Sequence, residues 1–404
     1  MNNWNIYRIK DICEIKSGKR LPKGCDFSST QTQYPYIRAR DIKNGKINTN
    51  DLAYISQDVQ FKIKRYIVNE NDIAITIVAN IGDVGFVPKE LDGFNLTENA
   101  VRLTNFHKNV NSKYLCYYLS QPNLKTYMEG FAVGAAQAKL GIYKIEKLKV
   151  QLPPLPTQQK IASILSAYDN LIQHYKKQIE VLQTAASELY KEWFVRFRFP
   201  GYKITRFENG IPEGWKIEKL GKFVDIKRGG SPRPIQDYIS DEGLNWLKIS
   251  DATAYDYPFI FNIEEHILES GLKKTVLLKS GSLVLSNSAT PGLPRILCVD
   301  SCIHDGWLYF EKSFFSNEYL YLFFQQERTN IVKLGNGAIF TNLKTDILKE
   351  YKCFIPDNKL LKKFQVIIQP YFEKIKKTQQ QITNLTQQCD FLLPRLMSGK
   401  LEVE

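Results

Sequence analysis

The longest regular pattern in the chain lies just past its first third. After Pro156 the apolar positions fall at Ile161, Leu165, Tyr168, Ile172, Tyr175, Ile179, Leu182, Ala186, Leu189 and Trp193, in steps that alternate between four and three residues. Such a heptad seam predicts a long helix with a partner helix. A second seam near the C-terminus runs through Phe364, Ile368, Tyr371, Ile375, Thr378, Ile382, Leu385, Cys389, Leu392 and Leu396 with the same alternation. Pro370 is expected to kink or restart that helix and Pro394 to mark its end, since proline lacks the N–H and crowds the preceding turn. Two seams of equal length most simply pair with each other, and antiparallel; the competing arrangement packs each helix on its own globular neighbour.

Elsewhere the period drops to two. Short β-branched and aromatic runs, broken by Gly, Asn, Asp and Pro and with a few helical patches, predict mixed α/β (α+β) domains. These runs are written twice. WNIYRIKDICEIKSG at 4–18 aligns without a gap with WKIEKLGKFVDIKRG at 215–229, with identities at Trp4/Trp215, Ile6/Ile217, Ile15/Ile226, Lys16/Lys227 and Gly18/Gly229. PYIRARDI answers NWLKISDA, each expected as a strand carrying basic residues between apolar ones. NDIAITIVANIG answers GSLVLSNSATPG, KYLCYYL answers EYLYLFF, GAAQAKL answers GAIFTNL, and QLPP answers FIPD. The expected organisation is a globular domain at 1–152, a helical spacer at 153–200, a second globular domain at 201–355 and a second helical spacer at 356–404. The fold class is two pseudo-symmetric α/β domains separated by a pair of long antiparallel coiled-coil helices. At about 1.5 Å per residue those helices form a spacer of roughly 45–50 Å.

Charge sharpens this picture. The chain carries 55 Lys and Arg against 42 Asp and Glu, a net charge of +13. On a chain with 12% aromatic residues, which excludes general disorder, that surplus points to a polyanion and first to nucleic acid. No apolar run reaches the roughly 18 residues of a membrane span, and the start has no signal-peptide core. The seven cysteines are scattered, which suits reduced thiols, so a soluble cytoplasmic protein is expected. Cys298, Cys302 and His304 lack a second ligand pair at zinc-site spacing, and their stretch alternates like a buried strand.

The candidate DNA contacts are basic and polar residues beside the predicted strands. In the first repeat they are Lys16, Ser17, Lys19, Arg20 and Lys23, then Arg38, Arg40 and Lys43, with Gln137 and Lys139 after a Gly turn. In the second they are Lys227, Arg228, Ser231 and Arg233, then Lys248, Ser250, Asn287 and Arg295, with Asn342 and Lys344 later. Arginine grips guanine edges bidentately and lysine usually meets phosphate. Gly18, Gly229 and Gly230 would let the backbone approach the duplex. Any one of these residues is equally a solvated surface charge; the duplicated placement raises the set above that. With duplex DNA rising about 3.4 Å per base pair, heads 45–50 Å apart would meet sites centred roughly 13–14 base pairs apart. Their loops differ in sequence, so the half-sites should differ too.

Catalytic patterns are missing from the sequence. There is no GxxxxGK followed by Ser or Thr, no FxGxG paired with Asn-Pro-Pro and an aromatic residue, and no paired-carboxylate-plus-lysine nuclease set. Four histidines in four separate contexts make no constellation. The reading is a chain that binds and does not catalyse.

LPPLPTQQKIASILSAYDNLI at 152–172, ELYKEWFVRFRFPG at 188–201, IPEGWKIEKLG at 211–221 and the closing LLPRLMSGKLEVE resemble the specificity subunits of type I restriction-modification systems. The likeness covers essentially the whole chain. It implies two target-recognition domains that read a split, asymmetric double-stranded DNA sequence, with no catalysis and no cofactor on this chain. It also implies two methyltransferase subunits bringing S-adenosylmethionine, and restriction subunits that use ATP and Mg. Trp193 and Phe194 are expected as exposed aromatics of a partner interface. The second repeat departs from the first at its helix junction, with FIPDNKL in place of the Pro-Pro-x-Pro step. The alternative reading is the recognition part of a fused methyltransferase-nuclease of the IIB or IIG kind, which predicts the same fold.

Overall fold

The computed structural model describes residues 4–131, 138–254, 256–334 and 342–403. It divides into two units, residues 1–171 with 386–404, and residues 172–385. In unit 1 the alternating runs form an antiparallel sheet in the order Glu14–Ser17, Ala100–Thr104, Ile73–Thr76, Val84–Phe86. Ile73, Ile75, Val101 and Leu103 put one face of it into the unit's main core. A second, three-stranded sheet centres on Pro35–Ile37, which runs parallel to Asn95–Leu96 with Ile37 opposite Leu96. A two-stranded ribbon pairs Asn5–Arg8 with Lys149–Leu152 and so closes the start of the globular part on its end.

Unit 2 repeats this topology with additions. Val224–Arg228, Trp307–Ser313, Leu283–Ser286 and Pro294–Leu297 form the same antiparallel order, extended by Phe259–Ile260 as a parallel edge strand. Leu244–Leu247 runs parallel to Ser301–Ile303, with Leu247 opposite Ile303, as Ile37 lies opposite Leu96 in unit 1. The ribbon Lys216–Lys219 with Lys352–Ile355 again closes start on end. Cys302 lies in a buried strand, as its alternation predicts, and all seven cysteines are free thiols. Among the described residues no helix is long and apolar enough to cross a membrane, and no cluster of three His, Cys, Asp or Glu is placed to hold a metal.

The seams form helices Leu155–Tyr190 and Asn358–Met397. Every seam position is buried or half-buried. In unit 1, Ile161 and Leu165 share a core with Leu392 and Leu396; in unit 2, Ile172, Ile179 and Ala186 share one with Phe364, Ile368, Ile375 and Ile382. Within each unit the two helices are therefore antiparallel neighbours, and Thr378 bonds Gln178 across them in unit 2. They also pack on the globular part. Gln379 donates to the Phe259 carbonyl at 2.6 Å, and the Tyr190 ring lies 5.4 Å from that of Tyr319.

The second helix is not restarted at Pro370, and its end falls just past Pro394. The second helix runs unbroken through Pro370 and Pro394 to Met397. Both prolines are exposed, so the carbonyl each leaves unbonded faces solvent, which satisfies it.

Candidate nucleic-acid interface

In each unit four backbone segments converge at one end of the main sheet, and they are tied by the same four hydrogen bonds. In unit 1 the Gly18 N–H donates to the Ala100 carbonyl (3.1 Å), Lys19 to Leu96 (2.8 Å), Ile77 to Asn99 (2.8 Å) and Leu140 to Ile77 (2.9 Å). In unit 2 Gly229 donates to Trp307 (2.9 Å), Gly230 to Ile303 (3.3 Å), Asn287 to Gly306 (2.8 Å) and Leu343 to Asn287 (2.8 Å). The glycines are sterically required. A Cβ on Gly18 would lie 2.0 Å from the Thr97 carbonyl oxygen, and one on Gly229 would lie 2.4 Å from that of His304. The adjoining turn is duplicated too. Hydroxyls of Thr76 and Ser286 accept the N–H of Asp83 (3.0 Å) and Leu293 (2.9 Å), and the exposed Ala79 and Ala289 take positive φ of 65° and 56°. Left-handed alanine is uncommon and marks a turn that the surrounding bonds over-determine.

In unit 1 this frame borders a recess lined by Ser17, Gly18, Lys19, Arg20, Ile77, Glu98, Lys139 and Tyr143 among others. It brings Ser17, Lys19 and Arg20 of the expected contact set together with Lys139. Arg20 is 79% exposed and its Nε donates to Glu98 Oε1 at 2.8 Å. Lys19 lies over the Tyr66 ring. In unit 2, Asp305 occupies the place of Glu98. Its Oδ1 accepts from Ser231 Oγ at 2.7 Å, and Arg228 and Arg233 each place a guanidinium nitrogen 3.5 Å from Oδ2. Arg228 Nε also donates to the Asp305 carbonyl at 2.6 Å. Partial burial pushes the Glu98 carboxyl up, but its bonds to Arg20, Thr97 and backbone outweigh this and hold it below the usual range. The Ser231 bond, with help from Arg228, does the same for Asp305 against partial burial. Both stay ionised at neutral pH.

Sequence reasoning passed over these acids. The signal was available, since LTENA at 96–100 and IHDGW at 303–307 follow matching strands, with Glu98 and Asp305 in register. A search limited to cations could not find them.

The remaining candidates separate by environment. Lys16 pairs with Glu14, and Lys227 with Glu311 at 2.6 Å, both on exposed strand edges. Arg38 and Lys248 end their strands instead of lying within them, and each begins a helical turn whose first N–H is capped by a carboxylate: Arg38 by Asp41 and Lys248 by Asp251, at 2.8 Å each. Arg38 also grips Asp41 through its side chain, and Lys248 pairs with Glu265. Arg40 pairs with Asp51 while largely exposed, and Ser250 is exposed in the short helix Ile249–Thr253. Lys23, Lys43, Lys139, Asn342 and Lys344 are exposed, and Gln137 lies outside the described residues.

Three expectations are corrected. Arg295 is 3% exposed, donating to the Ala252 and Pro294 carbonyls, because it lies on a strand covered on both faces. Burial lowers its pKa, and it cannot reach a ligand outside. Asn287 is equally buried and ties the frame internally, donating to the Asp305 carbonyl at 2.9 Å. Trp193 and Phe194 are not exposed. They sit at 5% and 4% exposure in a π-helical turn, Lys191–Val195, where Phe194 packs edge-on against Phe364 and Tyr319. Their apolar bulk serves the core of unit 2, and a lone helical seam could not distinguish that from a partner surface.

Fold and site together define a duplicated recognition scaffold: one mixed α/β design built twice, each copy presenting a glycine-hinged basic loop and contributing to a long helical pair. Residues 1–184 and 212–387 match the type I restriction modification DNA specificity domain, and the chain belongs to that family. It is 25% identical to the specificity subunit of the type I restriction enzyme MjaIX of Methanocaldococcus jannaschii, over all of this chain and 94% of that protein. It is 20% identical to the HindI specificity subunit of Haemophilus influenzae, over 99% of this chain and 100% of that protein. The crystal structure of the S subunit of a type I restriction-modification system from M. genitalium shares the fold, with a TM-score of 0.62 and 16% identity over 98% of this chain and 96% of that one.

Proposed function

We propose that this chain is the DNA-reading, non-catalytic specificity subunit of a type I restriction-modification complex and recognises a bipartite, asymmetric sequence. The observation that carries this is the four-bond frame repeated in both units, which holds a basic loop of different sequence at the same place in each. One frame with two loop sequences fits two different half-sites. Ser17, Lys19, Arg20 and Lys139 in unit 1, and Arg228, Ser231, Arg233, Asn342 and Lys344 in unit 2, are the residues proposed to meet the duplex. The exposed lysines and arginines among them suit phosphate and guanine contacts.

The partners proposed are two methyltransferase subunits carrying S-adenosylmethionine and modifying adenine, with ATP-dependent restriction subunits joining them. The helical pair supplies their docking platform and sets the gap between half-sites. Similarity to specificity subunits of type I enzymes over the full chain favours this over a fused methyltransferase-nuclease. The test is adenine-methylation mapping of genomic DNA from cells carrying this chain and its methyltransferase, against cells lacking this chain. A split motif that appears only with the chain is expected; a motif independent of the chain, or none, overturns the proposal.

A further inference from the structure

We infer that Glu98 and Asp305 are specificity-determining residues, each accepting a hydrogen bond from the exocyclic amino group of a base, cytosine N4 foremost, in the half-site read by its own unit. This rests on the DNA-reading proposal and names an acidic contact within sites that otherwise look built for phosphate.

The two acids are placed by the same architecture. Each lies in the turn between the strand that pairs in parallel and the second strand of the main sheet, with its neighbours bonded to the glycine-hinged loop and to the hairpin turn. Their surroundings are basic and polar. Among the described residues lining the unit 1 recess, Glu98 is the one acid, beside Lys19, Arg20 and Lys139. An anion in a site meant only for phosphate would repel its ligand. Two repeats whose loops have diverged nevertheless both keep a carboxylate there, although one uses the longer side chain and the other the shorter.

The carboxylates are accessible, at 30% and 39% side-chain exposure. Arg20 and Arg233 are 79% and 78% exposed, so each can turn outward to a phosphate with little loss of packing, while Arg228 stays tied by its Nε to the Asp305 carbonyl. Ion pairs this exposed hold weakly. Once Arg20 or Arg233 swings to the backbone of an arriving duplex, it leaves an ionised acceptor: the Glu98 carboxylate in unit 1, and Oδ2 of Asp305 in unit 2, where Ser231 keeps Oδ1 and Arg228 stays on the carbonyl. The complementary group on DNA is an amino donor. In the major groove cytosine offers N4 and adenine N6, and carboxylates pair with cytosine N4, whereas a carboxamide suits adenine N6 and N7. The arginine thus neutralises the acid in the free protein and becomes a backbone contact in the complex.

The test uses the full chain with its methyltransferase in cells, comparing methylated motifs for wild type, Glu98→Gln, Glu98→Asp, Asp305→Asn and Arg20→Ala. Glu98→Gln should weaken the preference at one cytosine position of one half-site by roughly ten- to hundredfold, shifting it toward adenine or leaving it degenerate. Asp305→Asn should do the same in the other half-site only. Glu98→Asp should keep the base identity with reduced methylation, and Arg20→Ala should lower methylation with every letter intact. Thermal melting of each purified variant separates loss of fold from loss of reading, and the two acids lie in different units, so failure of one variant to fold leaves the other decisive. A wild-type split motif whose letters are unchanged in both Glu98→Gln and Asp305→Asn overturns this inference and leaves the DNA-reading proposal standing. No chain-dependent motif in wild type overturns both.

Discussion

Gly18 and Gly229 show how much one missing atom decides. Their loops cross the backbone of the next strand at a distance that leaves no room for a Cβ, and the N–H of each is one of the four bonds that hold the frame. The obstructing atoms are carbonyl oxygens in a strand connection, which cannot turn aside as a long side chain would. Gly18→Ala should therefore displace the Lys19–Arg20 loop and destabilise unit 1 by about 1–3 kcal/mol, as overpacking usually does. Gly24→Ala, where a Cβ meets nothing within 4 Å but φ is 81°, carries only the backbone strain. Thermal denaturation with motif mapping checks this: Gly18→Ala should erode one half-site, and a variant with native melting and native motif would refute the steric account. The matched glycines were legible in the aligned repeats. Their reason was not, because the carbonyls they avoid lie far along the chain.

At the scale of the element, the long helices are specified by periodicity and completed by context. The alternating steps of four and three place Phe364, Ile368, Ile375 and Ile382 on one stripe, and that stripe is buried in the structure. What the stripe meets is wider than a partner helix, since Phe364 is wrapped by Tyr190, Trp193, Phe194 and Tyr319. Truncation there leaves a cavity in an aromatic cluster that cannot easily collapse. Phe364→Ala should cost about 3–5 kcal/mol in a denaturant titration, against a few tenths for the exposed Val366→Ala. Equal effects at the two positions would contradict the packing described. Proline is the counter-example at this scale. Residue-level rules allow a kink or a restart at Pro370, and the helix is not restarted there, because a proline on the solvent side leaves its unpaired carbonyl to water while the buried side keeps its contacts.

For the whole molecule, the helical pair carries the proposed spacing role. The two units divide the chain between Leu171 and Ile172 and between Leu385 and Thr386. A seven-residue insertion at each division keeps the heptad phase of both seams while lengthening each helix by about 10 Å. The expected outcome in a methylation map is a spacer longer by about three base pairs with both half-sites unaltered. Altered half-sites with an unchanged spacer would mean that the helices do not measure distance.

Local pattern determined a great deal by itself: the duplication, the mixed α/β character, the two seams and the basic loops beside matching glycines. Each is a property of residues near one another in sequence, where side-chain period and backbone conformation are set by neighbours. The tertiary structure alone decided which polar residues are free to meet a ligand. Arg295 and Asn287 look like readers beside a hairpin, yet segments distant in the chain bury them; Trp193 and Phe194 look like an interface, yet the second helix and Tyr319 enclose them. Glu98 and Asp305 drew no notice as isolated acids, and they acquire a role only where folding sets them against Arg20, Arg228 and Arg233. Burial and charge pairing are sums over contacts distant in the chain, and no local pattern contains them.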